Sequence, residues 1–141
     1  MATPPLTALR EALVKRLRTD ATLTALLGGS GASGTRIYRR LRKAKMEPRT
    51  ITYLDFGVRP DWAVPLRDRT VQIDVWDTDP VRAAEIADRV ETLLDGQPFG
   101  VLPNGEMSVQ YLGLTRDGDV VADDGDLFRA TSEYRVLAYR L

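Results

Sequence analysis

The stretch from residue 70 to residue 94 constrains the fold most, because its apolar residues change there from a period of two to a period of 3.6. Alternate residues from Val71 to Val75 are β-branched, which is typical of a half-buried strand. Asp79-Pro80 then opens an Ala-rich segment, with Pro80 suited to the first helical position. The sequence therefore predicts a strand over Arg67 to Asp77 and a helix over Asp79 to Leu94.

The small residues of this helix predict how it packs. Ala84 and Ala87 would let the helix axis lie close to a sheet, so we expect the helix to pack on the strand that precedes it. The inner stripe is predicted to consist of Val81, Ala84, Ala87, Val90, Leu93 and Leu94.

The other segments predict the remaining layers. Leucines three to four residues apart indicate a first helix from about Leu6 to Leu17, and Asp20 can cap a short continuation that ends at Gly28. Strand patterns recur at residues 36–38, 51–56, 107–111 and 127–141. The predicted fold class is α+β: two layers, with a mainly antiparallel sheet of about four or five strands and two helices packed on one face.

Composition restricts the function. At 141 residues the chain fits a single domain spanning 1–141, with enough length for a real core. It contains no cysteine and no histidine, so thiolate chemistry and the commonest general base and metal ligand are missing. There is no apolar run of the roughly 20 residues that a membrane helix needs, and the N-terminus lacks the pattern of a signal peptide. We expect a protein of cytosolic origin without a cofactor, bound metal or membrane partner.

Charge is divided unevenly along the chain. Residues 1–49 carry 11 Lys and Arg against 3 Asp and Glu, and residues 50–141 carry 9 against 17. The basic segment, 36–49, is predicted to be a loop or arm, and its cationic residues include Arg36, Arg39, Arg40, Arg42, Lys43 and Lys45. The acidic run comprises Asp117, Asp119, Asp123, Asp124 and Asp126. Either these are solvated loops, or they meet across subunits or face different neighbours.

Trp76 is the other candidate for an interface. It lies on the side of its strand opposite Val71, Ile73 and Val75, away from the predicted helices. Either a loop such as residues 61–64 covers it, or it packs at a subunit interface, where tryptophan is enriched.

Two rival functions can be weighed from the same residues. The basic segment could bind nucleic acid, with Tyr38 and Tyr53 stacking on bases, although the chain has no recognition helix and its pI is only about 6.3. Asp74 and Asp77, or the acidic run, could hold a divalent cation, but the spacing is not that of a calcium-binding loop. We therefore predict no catalytic, cofactor or metal site.

Taken in order and spacing, five segments resemble one known family. They are Leu9 to Leu13, Arg36 to Tyr38, Ile51 to Leu54, Val71 to Trp76 and Arg129 to Leu137. The chain is similar over nearly its whole length to the tail-completion, or tail-terminator, proteins of long-tailed bacteriophages and gene transfer agents.

This resemblance implies a structural role without catalysis. Proteins of this family form a ring, commonly a hexamer, that caps the tail tube, terminates tail polymerisation and joins the tail to the head. The implied partners are further copies of the chain, the tail tube protein and a connector or stopper protein, with weak DNA contact in the lumen also compatible. The implied location is the tail-neck junction of the virion, after assembly in the host cytoplasm.

Overall fold

The fold was analysed in a computed structural model, which describes residues 5–28, 36–39, 49–60, 66–97, 99–102, 107–117, 121–124 and 127–139. These residues form three helices and seven strands. The helices are α1 (Pro5–Arg18), α2 (Ala21–Leu27) and α3 (Pro80–Leu94). The strands are β1 (Ile37–Arg39), β2 (Thr50–Pro60), β3 (Leu66–Asp77), β4 (Gly100–Val101), β5 (Met107–Asp117), β6 (Val121–Asp124) and β7 (Leu127–Tyr139). The α+β class is confirmed.

The strands form one sheet in the order β1-β2-β3-β7-β5-β4, with β6 paired to β7 beside this path. β1 and β2 are parallel, and every other described pair is antiparallel. The predicted sheet of about four or five strands did not include β4 and β6. These strands have two and four residues, which is too short for an alternating pattern to stand out in the sequence.

All three helices pack on the same face of the sheet, as the predicted two-layer arrangement required. The strand side of the core comes from four strands, β1, β2, β3 and β7. Its residues lie directly opposite one another on neighbouring strands. The buried cluster includes Leu9, Leu13, Leu17, Leu23, Leu27, Ile51, Ile73, Val75, Ile86, Val90, Leu94, Ala130, Tyr134 and Val136. None of the helices in the described part of the chain has the length and apolar content to cross a bilayer.

The inner stripe of α3 differs from the prediction. Val90 and Leu94 are buried as expected, but Ala83 and Ile86 complete the stripe, and Val81 is 65% exposed. Val81 lies two residues before Ala83, about 200° around the helix from the buried stripe, and therefore faces away from the sheet. In the same turn the Arg82 guanidinium bonds the Asp77 carboxylate at the end of β3.

The ends of α2 follow the predicted capping chemistry. The Asp20 carboxylate accepts a hydrogen bond from the Leu23 amide at 2.8 Å. The same carboxylate accepts two bonds from Arg89 of α3, at 2.8 and 2.6 Å, and these bonds with Arg89 contribute most to lowering the pKa of Asp20. At the other end, Gly28 has φ +123°, a conformation that side-chain-bearing residues rarely adopt. Asp20 therefore starts α2 and ties it to α3.

Candidate subunit and partner interfaces

The two sides of the sheet carry residues from the two oppositely charged segments. β1 forms one edge, and among the described residues no strand pairs with its outer side. β1 carries the exposed Arg39, and Arg36 immediately precedes the strand. Beyond β7 on the other side lie β5 and β6, which contain Asp117, Asp123 and Asp124. The topology therefore places the described members of the basic and acidic segments at opposite sides of one sheet.

Only part of the predicted site lies within the described residues. Six of its members fall outside them: Arg40, Arg42, Lys43, Lys45, Asp119 and Asp126. Their interface role stays a prediction, as does the shape of the basic arm between β1 and β2.

One row of residues connects the two charged sides. Arg39 is paired with Tyr53, Tyr53 with Ile73, Ile73 with Ser132, and Ser132 with Asp117. Because neighbouring strands lie about 4.8 Å apart, the four steps separate the two ends of the row by roughly 19 Å. Arg39 and Asp117 thus occupy the same level on opposite sides of the sheet.

Arg36 has a local role that the sequence did not indicate. A side-chain carbon added at Gly28 would lie 3.2 Å from the Arg36 Cζ, so the guanidinium occupies the space beside the end of α2. The Arg36 carbonyl also accepts a hydrogen bond from the Ile51 amide at 2.8 Å. Arg36 is half-buried and contributes to joining α2 to the sheet edge, whereas Arg39 is exposed.

Trp76 is buried within the chain itself, with 5% of its surface exposed. Its indole Nε1 donates a hydrogen bond to Thr52 Oγ1 at 3.0 Å, and the Arg129 guanidinium lies 5.5 Å from the ring centroid. The chain itself therefore covers most of the indole. An interface contact of Trp76 stays a prediction.

A buried polar cluster accompanies Trp76 on the face away from the helices. Thr131 Oγ1 donates to Asp74 Oδ1 at 2.5 Å, and Gln72 Nε2 donates to Asp74 Oδ2 at 3.0 Å. Asp74, Thr131 and Thr52 are 4%, 7% and 1% exposed. Sequence reasoning missed this cluster, since the alternation of β3 shows which residues share a face but not how that face is covered.

Asp77 lies at the end of β3 and is fully buried. Its carboxylate accepts hydrogen bonds from Arg82 Nε at 2.6 Å, Arg82 Nη2 at 2.7 Å and the Asp79 amide at 3.0 Å. Burial pushes the pKa of Asp77 upward, but these hydrogen bonds and the charges of Arg82 and Arg49 outweigh it, so the pKa is lowered. The carboxylate is held as an anion by the chain's own donors.

The two acids considered as cation ligands are not brought together. Asp74 and Asp77 are three residues apart on one strand, which places them on opposite faces, and each is engaged by donors of the chain. Within the described ranges, no group of three or more acidic side chains is arranged to hold a metal ion.

The outer face of α1 offers two shallow grooves that the sequence did not reveal. One, of about 550 Å³, has Phe99 and Val101 on its far wall, and the other, of about 420 Å³, has Tyr53. Glu11, Lys15 and Thr19 line both grooves. Arg16 is held in the first by its position 4.6 Å over the Phe99 ring and by a bond to the Gln97 carbonyl. The helix layer therefore has a polar, grooved outer surface.

Comparison with known proteins agrees with this architecture. A solved structure from the virion of a native gene transfer agent particle superposes with a TM-score of 0.72 at 20% sequence identity, over 96% of this chain and 97% of that chain. At that identity, the similarity concerns the fold. No curated protein sequence matches the chain significantly.

A family model gives the assignment itself. Residues 11–139 match the family described as "Tail completion protein gp17", so the match includes every strand and all but the first turns of α1. The family suggested by the order of the sequence segments is thereby confirmed. The chain belongs to the Tail completion protein gp17 family and is a structural tail protein of the virion.

Proposed function

We propose that the chain forms a ring, of six copies as in the family it resembles, that caps the tail tube, ends its polymerisation and joins the tail to the head connector or stopper protein. The family match over residues 11–139 carries this proposal. It also implies the partners: further copies of the chain, the tail tube protein and the connector.

The arrangement of charge supports a ring. A ring requires heterologous interfaces, in which one patch meets a different patch on the next copy. The β1 side and the β5-β6 side of the sheet are two such patches, because they differ in charge and lie on opposite sides of the molecule. A protein with one self-complementary patch would instead form a closed dimer.

The role we propose is binding without catalysis. Asp74 and Asp77, the two buried acids with described surroundings near the end of β3, are occupied by Thr131, Gln72 and Arg82. Their carboxylates stabilise the fold rather than face a substrate. The outer face of α1, with its two grooves, is the surface that we assign to contacts with the tail tube or the connector.

Assembly measurements test the ring and the cap. Light scattering over a range of protein concentrations should show growth from small species to a ring, and negative-stain microscopy should show the ring itself. Added to polymerising tail tubes, the protein should bind tube ends and shorten the tubes. A compact monomer at every concentration that leaves tube length unchanged would contradict the proposal.

DNA binding by the basic segment is the alternative, and the exposed position of Arg39 at the sheet edge favours it. Titration of duplex DNA at two salt concentrations separates the two functions. Sub-micromolar binding with a steep salt dependence, in a protein that forms no rings, would support the alternative. Weak binding in a ring-forming protein would correspond to DNA passing through the lumen.

A further inference from the structure

We propose that the groove between α1 and Tyr53 binds an acidic, extended segment of the tail tube protein, in which two carboxylates four residues apart flank an apolar side chain. This inference rests on the proposed function, which assigns the outer face of α1 to the tail tube or the connector, and it specifies the partner and its chemistry. The groove has a volume of about 420 Å³ and described residues on both of its walls.

The helix wall of this groove follows one stripe of α1. Arg10, Val14 and Arg18 are spaced four residues apart, so they lie along one face of the helix. Each residue adds about 1.5 Å to a helix, which separates Arg10 from Arg18 by about 12 Å along the axis. Tyr53 of β2 forms the opposite wall. The groove therefore has a basic residue toward each end and apolar surface between them.

The charge of the groove selects an anionic partner. Arg10, Lys15 and Arg18 line it, and the single acid among its described lining residues is Glu11. Lys15 and Arg18 are exposed and lie in the last turn of α1, which contains no acid. Exposed ion pairs of this kind contribute little affinity each, but they choose the partner and set its register.

The spacing of the basic residues matches an extended segment. A strand rises about 3.3 Å per residue and directs alternate side chains to the same side, so residues i and i+4 lie about 13 Å apart on one face. Carboxylates at these two positions match Arg10 and Arg18, and the side chain at i+2 then lies beside Val14 and Tyr53. In a helix, residues i and i+4 are only about 6 Å apart and cannot reach both arginines.

The apolar centre of the groove favours protein over nucleic acid. A phosphodiester chain carries a charge every 3.4 Å or so along each strand, and it would place phosphates against Val14 and beside the Glu11 carboxylate. A second copy is not the occupant that we infer, because copies in the proposed ring meet through the two sides of the sheet. Ending polymerisation requires each copy to contact the tube end, and this groove is the described surface that suits it.

Carbodiimide cross-linking tests the contact directly, because it joins a lysine amine to a carboxylate without a spacer. The chain has three lysines, Lys15, Lys43 and Lys45. Lys43→Arg with Lys45→Arg keeps the charge and leaves Lys15 as the only lysine. On capped tail tubes, we expect mass spectrometry to find Lys15 joined to an acid of the tube protein that has a second acid four residues away. The same protein carrying Lys15→Arg should lose this cross-link.

A charge variant shows which groove is used, since Arg18 lines only the groove beside Tyr53. At low salt, Arg18→Gln should raise the protein concentration needed for half-maximal capping of tubes by up to about fivefold per contact. Val81→Glu changes the net charge equally at an exposed position of α3 and should leave that concentration unchanged. At about 1 M salt, where charges are screened beyond about 3 Å, wild type and Arg18→Gln should converge. A purely structural role of Arg18 would preserve the difference.

The outcomes separate the contact from the function. Capped tubes in which Lys15 is joined to the connector, to a second copy or to nothing would overturn this inference and leave the proposed function intact. A cross-link between Lys15 and the tube protein, without any shortening of tubes, would support the contact and contradict the proposed function. Loss of the cross-link on addition of duplex DNA, with weaker DNA binding by Arg18→Gln, would assign the groove to nucleic acid and overturn the inference. If Arg18→Gln does not fold, the Lys15 cross-link decides.

Discussion

On the face of the sheet that meets the helices, Ile51, Ile73 and Val75 are buried against apolar side chains, whereas on the opposite face Thr52, Asp74 and their neighbours are buried with hydrogen-bonding partners. Both faces of the central strands are thus shielded from water, one by apolar contact and the other by matched donors and acceptors. The comparison teaches that alternation along a strand reports the chemistry of its two faces and not their exposure. The following variants test this difference, beginning with the largest expected effect.

Removing apolar volume from the helix side should cost most. Ile86→Ala deletes a fully buried side chain of α3 and should lower the free energy of unfolding by about 3 kcal/mol, measured by urea denaturation. Val81→Ala on the same helix is the control, since Val81 is largely exposed and its loss should change stability by less than about 0.5 kcal/mol. Equal effects would show that α3 does not pack through the stripe containing Ile86.

Asp77 is a buried, ionised residue at the end of β3, on the helix side of the sheet, and its replacement tests how much this charge contributes to stability. Asp77→Asn weakens two charge-assisted bonds from Arg82 and should cost about 2 kcal/mol at pH 7. Because folding lowers the pKa of Asp77, the stability from its ionised form is fully present above the ordinary pKa of 3.8 and is lost as pH falls through the lower pKa of the folded state.

The measurement for Asp77 is urea unfolding of both proteins at pH 7 and below pH 3. The difference between wild type and variant should shrink at the lower pH. Asp88→Asn provides a control on the exposed side of α3 and should be near neutral at pH 7. A difference for Asp77→Asn that is independent of pH would contradict the charge-based explanation.

The polar face is tested by Thr131→Val, which preserves the shape of the side chain and removes its hydroxyl. Asp74 then loses its shortest hydrogen bond, and we expect a cost of about 1.5 kcal/mol in thermal or urea unfolding. Thr131→Ser keeps the donor and loses only a methyl group, so it should be the milder change. A milder effect from the valine variant would mean that apolar packing dominates on this face as well.

The smallest effect should come from Trp76→Phe, which keeps an aromatic ring and removes the indole N–H that bonds Thr52. The expected cost is about 1 kcal/mol. Combining it with Thr52→Val forms a double-mutant cycle, and the two changes should cost less together than the sum of the single changes. Simple additivity would show that the bond at 3.0 Å contributes no net stability.

Local patterns predicted much of this fold. The cap of α2 at Asp20, the position of Pro80 at the start of α3, the strand before α3 and the apolar face of β7 all follow from patterns that a short window of sequence contains. The rotation of α3 was not predicted, because its apolar residues lie on more than one face of the helix and a short window of sequence does not show which face meets the sheet.

The candidate site was less accessible to sequence reasoning. The two charged segments were visible, but the placement of their described residues on opposite sides of one sheet depends on β7 lying between β3 and β5. That pairing joins residues far apart in the chain, and no local pattern encodes it. The ion pair between Asp20 and Arg89, 69 positions apart, was hidden for the same reason.

β7 is the last described element in the chain, yet it lies at the centre of the sheet and pairs with β3, β5 and β6. During translation, the β1-β2-β3 portion and the β4-β5 portion leave the ribosome before the strand that joins them. A nascent chain interrupted ahead of residue 127 would lack the strand that pairs with both β3 and β5, so the two sides of the sheet would have no fixed spacing. The spacing between the two sides of the sheet is therefore set only when this last described strand is in place.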